Sequence, residues 1–371
     1  MAQHNTVHWR DDDRSAGPTW RSRMFGVAPA NIIAAILVLT VMALAGCGSS
    51  GGSPATGGAQ SAAPTSTTRP ANPFTEFPLS GNATGAAAMT VGPDGNLWFT
   101  ETNTNTIGRL TPAGQITEFP LPQSIDLPID ITAGPDGNLW LALQTGIGRI
   151  TPAGQITEFP VQSSHFQGTI AITTGPDGNL WFTEQGSDKV GRITPTGQIT
   201  EFPLLKADSR PTVITAGPDG NLWFLDTLYD LVERITPDGQ VTEFPIPDDA
   251  YPIDITAGPD GNLWFTESTS SSVAIGRITP SGEFSIFPLA FPIIGLAGIT
   301  VGPDKNLWFT SPGDNQHYSQ IGRMTPKDQQ ITATEINIRG SRPDTIITGP
   351  DGNLWFTDSG LQEIIRFTPG K

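Results

Sequence analysis

From Phe74 to the last residue, apolar and polar positions alternate in runs of four to six residues, and Gly, Pro, Asp and Asn interrupt the runs. A period of two between turn residues predicts short, half-buried β-strands. The pattern is periodic at a larger scale. The string GPDGNLWF begins at Gly92, Gly134, Gly175, Gly217, Gly258, Gly302 and Gly349, with Leu141 in place of one Phe and Lys305 in place of one Gly. The spacings are 42, 41, 42, 41, 44 and 47 residues. A second string, close to IGRITPxGQ, sets Arg109, Arg149, Arg192, Arg234, Arg277, Arg323 and Arg366 in register, and a third, TEFP, follows it. Each unit reads as four strands. Pro-Asp-Gly-Asn turns the chain between strands one and two, and Thr-Pro-x-Gly between three and four. In both, Pro presets φ and Gly accepts a positive φ. Four strands per repeat of this length is the arithmetic of an all-β fold, a seven-bladed β-propeller with four antiparallel strands per blade. The last repeat stops before its TEFP strand, and a spare TEFP lies at Thr75–Pro78. The N-terminal strand is therefore expected to close the seventh blade and remove two sheet edges.

The first 73 residues follow neither period. Ile32 to Ala45 is an apolar run of 14 residues with Thr40 its one polar member, preceded by Arg10, Arg14, Arg21 and Arg23. It is too short for a transmembrane helix, which needs about 20 residues, and matches a secretion signal. It ends in Leu44-Ala45-Gly46-Cys47, and Cys47 is the single cysteine of the chain. This resembles the lipobox of bacterial lipoproteins, which implies lipidation of Cys47 and an extracytoplasmic protein anchored to the bacterial cell membrane. The expected organisation is a signal peptide over 1–46, a flexible Gly/Ser/Pro/Thr-rich tether over 47–73 and the propeller over 74–371.

Composition sharpens this picture. The 371 residues include 42 Gly and 34 Pro, about a fifth of the chain, and the repeats turn that excess into ordered turns. One Cys excludes an internal disulfide. The net charge of −16 argues against a nucleic-acid partner. Loss of residues 1–46 removes four Arg and three Asp, leaving −17.

Candidate chemistry lies where the repeat varies. Gly to Trp within GPDGNLW is constant, whereas Trp to Arg, across the loop between strands two and three, ranges from 9 to 15 residues. The loop from strand four into the next blade also varies. In an up-and-down blade these two loops emerge on one face, the expected seat of function. That face is expected to hold His165, His317, Tyr229, Tyr251 and Tyr318. The end of strand two supplies Glu101, Glu184, Asp226, Glu267 and Asp358, with Leu143 and Ser311 in the other two blades. Asp130, Asp254 and Asp344 lie near the start of strand one, and Arg210 and Arg342 stand just ahead of it. Acids around a channel could hold a cation or act as general bases, or could serve as partners for loop amides. The seven Trp of NLWF, repeated in every blade, are expected to pack between blades.

Seven units of the form ITxGPDGNLWFTE…IGRITPxGxITEFP resemble the virginiamycin B lyase (streptogramin lyase) family over 74–371. That resemblance implies elimination chemistry on cyclic depsipeptide antibiotics, assisted by Mg²⁺. It also implies a catalytic His five residues before the Gly of GPDG, with a Glu at the end of strand two. Here the His position holds Ala87, Ile129, Ile170, Thr212, Ile253, Ala297 and Asp344, and none supplies an imidazole base. Two functions follow as expectations. One is a monomeric module binding a small molecule or protein at the variable face. The other is a lyase-like enzyme with a relocated site, drawn from His165, His317, Asp344 and Glu267.

Overall fold

In the computed structural model the chain is described over residues 72–370, except 80–84, 123, 124, 126, 162–167, 248, 249, 270, 271, 291, 292, 294, 315 and 316. Cys47, the signal segment and nearly all of the tether lie outside the described residues, as does His165. Twenty-eight strands form seven four-stranded antiparallel sheets. Blade one is β2 (Ala86–Val91), β3 (Leu97–Glu101), β4 (Thr106–Leu110) and β5 (Ile116–Pro120), in that order. Blades two to six span 128–160, 169–203, 211–245, 251–288 and 299–335. Blade seven joins β26 (Pro343–Thr348), β27 (Leu354–Asp358) and β28 (Glu363–Phe367) to β1 (Phe74–Pro78), which pairs with β28 from Phe74↔Phe367 to Pro78↔Glu363. The ring is closed by the N-terminal strand, as the displaced TEFP predicts.

The repeated motif becomes a repeated contact. In blade one the Trp98 indole N–H donates to Oδ1 of Asp94 at 2.9 Å, and the Asn96 amide N–H caps the same oxygen at 3.2 Å. The Arg109 guanidinium lies 5.5 Å from the Trp98 ring and 5.4 Å from that of Phe119, and those two rings stack at 5.2 Å. Arg109 also donates to the carbonyl of Pro152 in the next blade at 3.1 Å. Equivalent bonds run from Arg149 to Pro195, Arg192 to Pro237, Arg234 to Pro280 and Arg366 to Pro112, the last across the closure. Each Trp packs on the core of the blade that follows, as Trp98 does on Leu139 and Leu141. The Trp set is therefore structural.

Two glycines of the repeat are fixed by close approach. A Cβ on Gly92 would lie 2.4 Å from the Trp98 ring, and one on Gly108 would lie 2.0 Å from Phe99. Gly95 is needed for another reason, its φ of 74°. Lys305 occupies the same turn position in blade six at φ 58°. Blade six also has Thr334 where other blades place the stacking Phe, and Trp308 is slightly exposed there.

Two outcomes follow. Trp181→Ala should destabilise the propeller by about 3–5 kcal/mol in urea unfolding, because it empties an interblade core position. Lys305→Gly should stabilise it by about 1 kcal/mol by relieving a left-handed backbone.

Candidate functional site

The end of strand two pairs with the start of strand one in the same blade: Ala86 faces Glu101, Pro211 faces Asp226, Pro252 faces Glu267 and Pro343 faces Asp358. Both variable loops therefore emerge together, opposite the GPDG and TPxG turns. Just inside, a Thr of strand two donates to a strand-one carbonyl of the next blade. Thr183 reaches Thr212 at 2.7 Å, Thr266 reaches Ala297 at 2.9 Å and Thr310 reaches Asp344 at 2.6 Å. Blades two and four carry Ala142 and Leu225 at this position.

The acids that end strand two are buried: Glu101, Glu184, Asp226, Glu267 and Asp358 are at most 2% exposed. They sit one per blade. Asp358 accepts the amide N–H groups of Arg342, Gly360 and Leu361 at 2.8–3.0 Å, and the Ser341 hydroxyl on its other oxygen. Asp226 accepts from the amides of Arg210, Leu228 and Tyr229 at 3.3, 2.8 and 3.2 Å. The Ser209 hydroxyl, equivalent to Ser341, instead donates to the Lys206 carbonyl, and Asp226 Oδ2 has no hydrogen-bond partner among the described residues. Glu101 accepts from the Thr104 hydroxyl at 3.0 Å. Neither carboxylate oxygen of Glu184 has such a partner, and burial followed by the nearby Glu201 charge pushes its carboxyl up to about 7.

Asp344 is half-buried at the start of β26, in the register of the family's His. Burial raises its carboxyl, Asp358 adds to the rise, and the Ser359 hydroxyl and Arg342 oppose it. Glu267 ends strand two of blade five, with blade six between it and Asp344. His317 lies in the loop between strands two and three of blade six, where Nδ1 is 2.8 Å from Asp314 Oδ1. Arg210 and Arg342 point to solvent, and Tyr229, Tyr251 and Tyr318 are 40, 40 and 54% exposed.

Two groups take on roles that the repeat comparison does not reveal. Asp130 and Asp254 lie on strand one of blades two and five, where the other blades have Ala88, Ala171, Val213, Gly298 and Thr345. Each accepts the N–H of its own successor and one of the next blade, Ile172 or Ile299, all at 2.8 Å. They fasten blade two to three and five to six. Burial pushes them up to about 6 and 7, and Asp130 contributes to the rise at Asp254. The second group is in blade four, where Glu233 replaces the strand-three Gly. It stands opposite Glu243 and is 1% exposed. Burial, then Asp226 and Glu243, push it up to about 8 against the Lys206 charge. The sequence signals were present: Glu233 interrupts IGRIT, and Ser-Arg-Pro precedes strand one only in blades four and seven, the two whose strand two ends in Asp.

The architecture defines a class, a closed seven-bladed propeller with one fixed and one variable face. Within that class, the model of the virginiamycin B lyase family matches residues 65–165 and 127–371, and the chain belongs to this family. A streptogramin B lyase structure is 34% identical over 80% of this chain and 97% of that one, with a TM-score of 0.73. A catalytically inactive His-to-Ala virginiamycin B lyase from Staphylococcus aureus, with quinupristin, is 36% identical over 80% and 99%, also at 0.73. The WD40 β-propeller domain of Doa1 matches at 10% identity over 80% and 97%, with a TM-score of 0.61, a likeness of fold alone. No curated protein matches the chain.

The raised carboxyls fix a pH dependence. A folded value above the unfolded one contributes stability that is present in full below about pH 4 and lost as pH rises through the folded value. For Asp130, Asp254, Glu184 and Glu233 that loss runs through about 6, 7, 7 and 8. The melting temperature should fall from pH 5 to pH 8, and Glu233→Gln should shrink the fall, as scanning calorimetry would read.

Proposed function

We propose that this protein is a binding module of the virginiamycin B lyase family, working through its variable face and lacking the family's base. The observation that carries this is the set of strand-one starts: none of the seven bears a His, and the described propeller His, His317, is held by Asp314 in an outer loop. The inactive His-to-Ala relative, whose structure is with quinupristin, supports the same separation of binding from catalysis. The ligand class this favours is a cyclic peptide or another compact molecule reaching across several blades.

The family implies Mg²⁺. Among the described residues no three His, Cys, Asp or Glu converge as a metal group, and Asp226 and Asp358 already take loop amides. No step is assigned to a metal.

A second reading is residual elimination, with the raised Asp344 carboxyl as proton acceptor in the His register. One experiment separates the two. The full chain is incubated with quinupristin and Mg²⁺ beside an active lyase, with binding followed by calorimetry and product by mass spectrometry. Binding without a ring-opened product is expected. Ring opening abolished by Asp344→Asn would establish the second reading, and absence of both would remove the family ligand.

The placement of this face outside the cytoplasm, on a lipid anchor at Cys47, is part of the proposal and rests on the lipobox-like Leu44-Ala45-Gly46-Cys47. Cys47→Ala should move the protein from the membrane fraction to the soluble fraction in an immunoblot, and retention in the membrane would refute the anchor.

A further inference from the structure

Blade four departs from the repeat at three points: Glu233 for the strand-three Gly, Leu225 for the strand-two Thr, and a loop of exposed apolar residues. All three converge on one place. Leu205, in the loop leading into blade four, is 66% exposed. Leu228 and Tyr229, in the loop between its strands two and three, are 41 and 40% exposed.

These residues are held in position from below. The Lys206 ammonium lies 4.8 Å from the Tyr229 ring centroid and 3.2 Å from Glu243 Oε2. The Tyr229 hydroxyl donates to the Ala207 carbonyl at 2.9 Å. Asp226 grips the amides of Leu228 and Tyr229, and the Asp208 amide donates to Asp188 at 2.9 Å. An apolar patch fixed by its own hydrogen bonds loses little freedom when a partner covers it. A rigid exposed Tyr is also a characteristic binding anchor.

The charge around the patch selects the partner. Asp188, Asp208 and Asp230 surround it and outnumber Arg210, while Lys206 is matched by Glu243. Beneath it, Asp226 Oδ2 and Glu243 Oε1 have no hydrogen-bond partner among the described residues. The whole chain carries −16. A field of this sign attracts a cationic surface and repels an acidic one.

We infer that the blade-four platform docks a polypeptide segment carrying an aromatic or aliphatic side chain flanked by lysine or arginine. The inference rests on the variable face being a binding surface. It adds a site on one rim of that face.

The test uses the full chain in detergent and a fluorescent peptide, Lys-Leu-Lys-Trp-Lys-Leu-Lys, read by anisotropy. Tyr229→Ala and Leu205→Ser should each weaken binding about ten-fold, whereas Tyr318→Ala, at the exposed Tyr of blade six, should leave it unchanged. Peptides with Gln for Lys, or Ser for Leu and Trp, should also bind about ten-fold more weakly. Leu205 is so exposed that its Ser variant keeps the test valid if Tyr229→Ala does not fold. The inference is overturned if the peptide does not bind, if Leu205→Ser binds as wild type does, or if the uncharged peptide binds equally well. A chain that binds quinupristin but not the peptide removes this inference alone. A chain that binds neither removes the reading of the face as well.

Discussion

The indole N–H of each NLWF Trp is bonded to the carboxylate of the Asp four residues earlier, and the rest of the propeller depends on this contact. It fixes the turn between strands one and two, because the same Asp oxygen takes the Asn amide. It sets the plane of the ring on which Arg and Phe stack. Through Arg it reaches the next blade's Thr-Pro turn. A buried indole must find an acceptor, and an Asp in a tight turn is a fixed one. At Asp304 burial pushes the carboxyl up, but bonds from Trp308, Asn306 and Arg323 outweigh it and hold the group down at about 2. Asp94, Asp136, Asp177, Asp219 and Asp351 are likewise held below the usual carboxylate range, so this fastening, unlike that made by Asp130 and Asp254, does not weaken near neutral pH.

Concentrating the fastening on one face leaves the other free to change. The variable-face acids illustrate what that freedom costs. Asp226 and Asp358 offset their burial by accepting loop amides, whereas Glu184 and Glu233 offset theirs by taking up protons near neutrality. Fixed-face groups such as Asp304 stabilise in the charged form, and Glu184 and Glu233 in the neutral form. The two sets therefore pull the pH dependence of stability in opposite directions, the first as pH falls below about 4 and the second as it rises above about 4.

Blade number, strand order and the closing strand were legible in the sequence because repetition averages out local noise. Seven copies of Pro-Asp-Gly leave no other place for the turns, and a missing final TEFP beside a spare initial one permits one closure. The site was less legible because it consists of departures from the repeat, each occurring once or twice. Glu101 and Asp358 occupy equivalent positions in the sequence, yet Glu101 holds a Thr hydroxyl and Asp358 organises a loop. One methylene decides whether the carboxylate reaches the amides of its own loop. Asp130 and Asp254 stood in view as acids near strand one. Their partners are N–H groups of the following blade, which no pattern within one repeat can reveal.

The same geometry explains how a family member can lose a base and keep a face. In blade one the strand-one start, Ala87, has a carbonyl that accepts from Thr357 of blade seven, and its methyl side chain takes no part in that bond. In blade six the Ala297 carbonyl accepts from Thr266 of blade five and the Gly298 N–H donates to the Asp344 carbonyl of blade seven, through backbone groups alone. The fastening at this level uses main-chain carbonyls and amides, so in blades one and six the side chains of Ala87 and Ala297 take no part in it. Exchanging an imidazole for a methyl there removes proton transfer and leaves the blade contacts intact. The shape of the variable face and the chemistry at its centre are in this way independently variable.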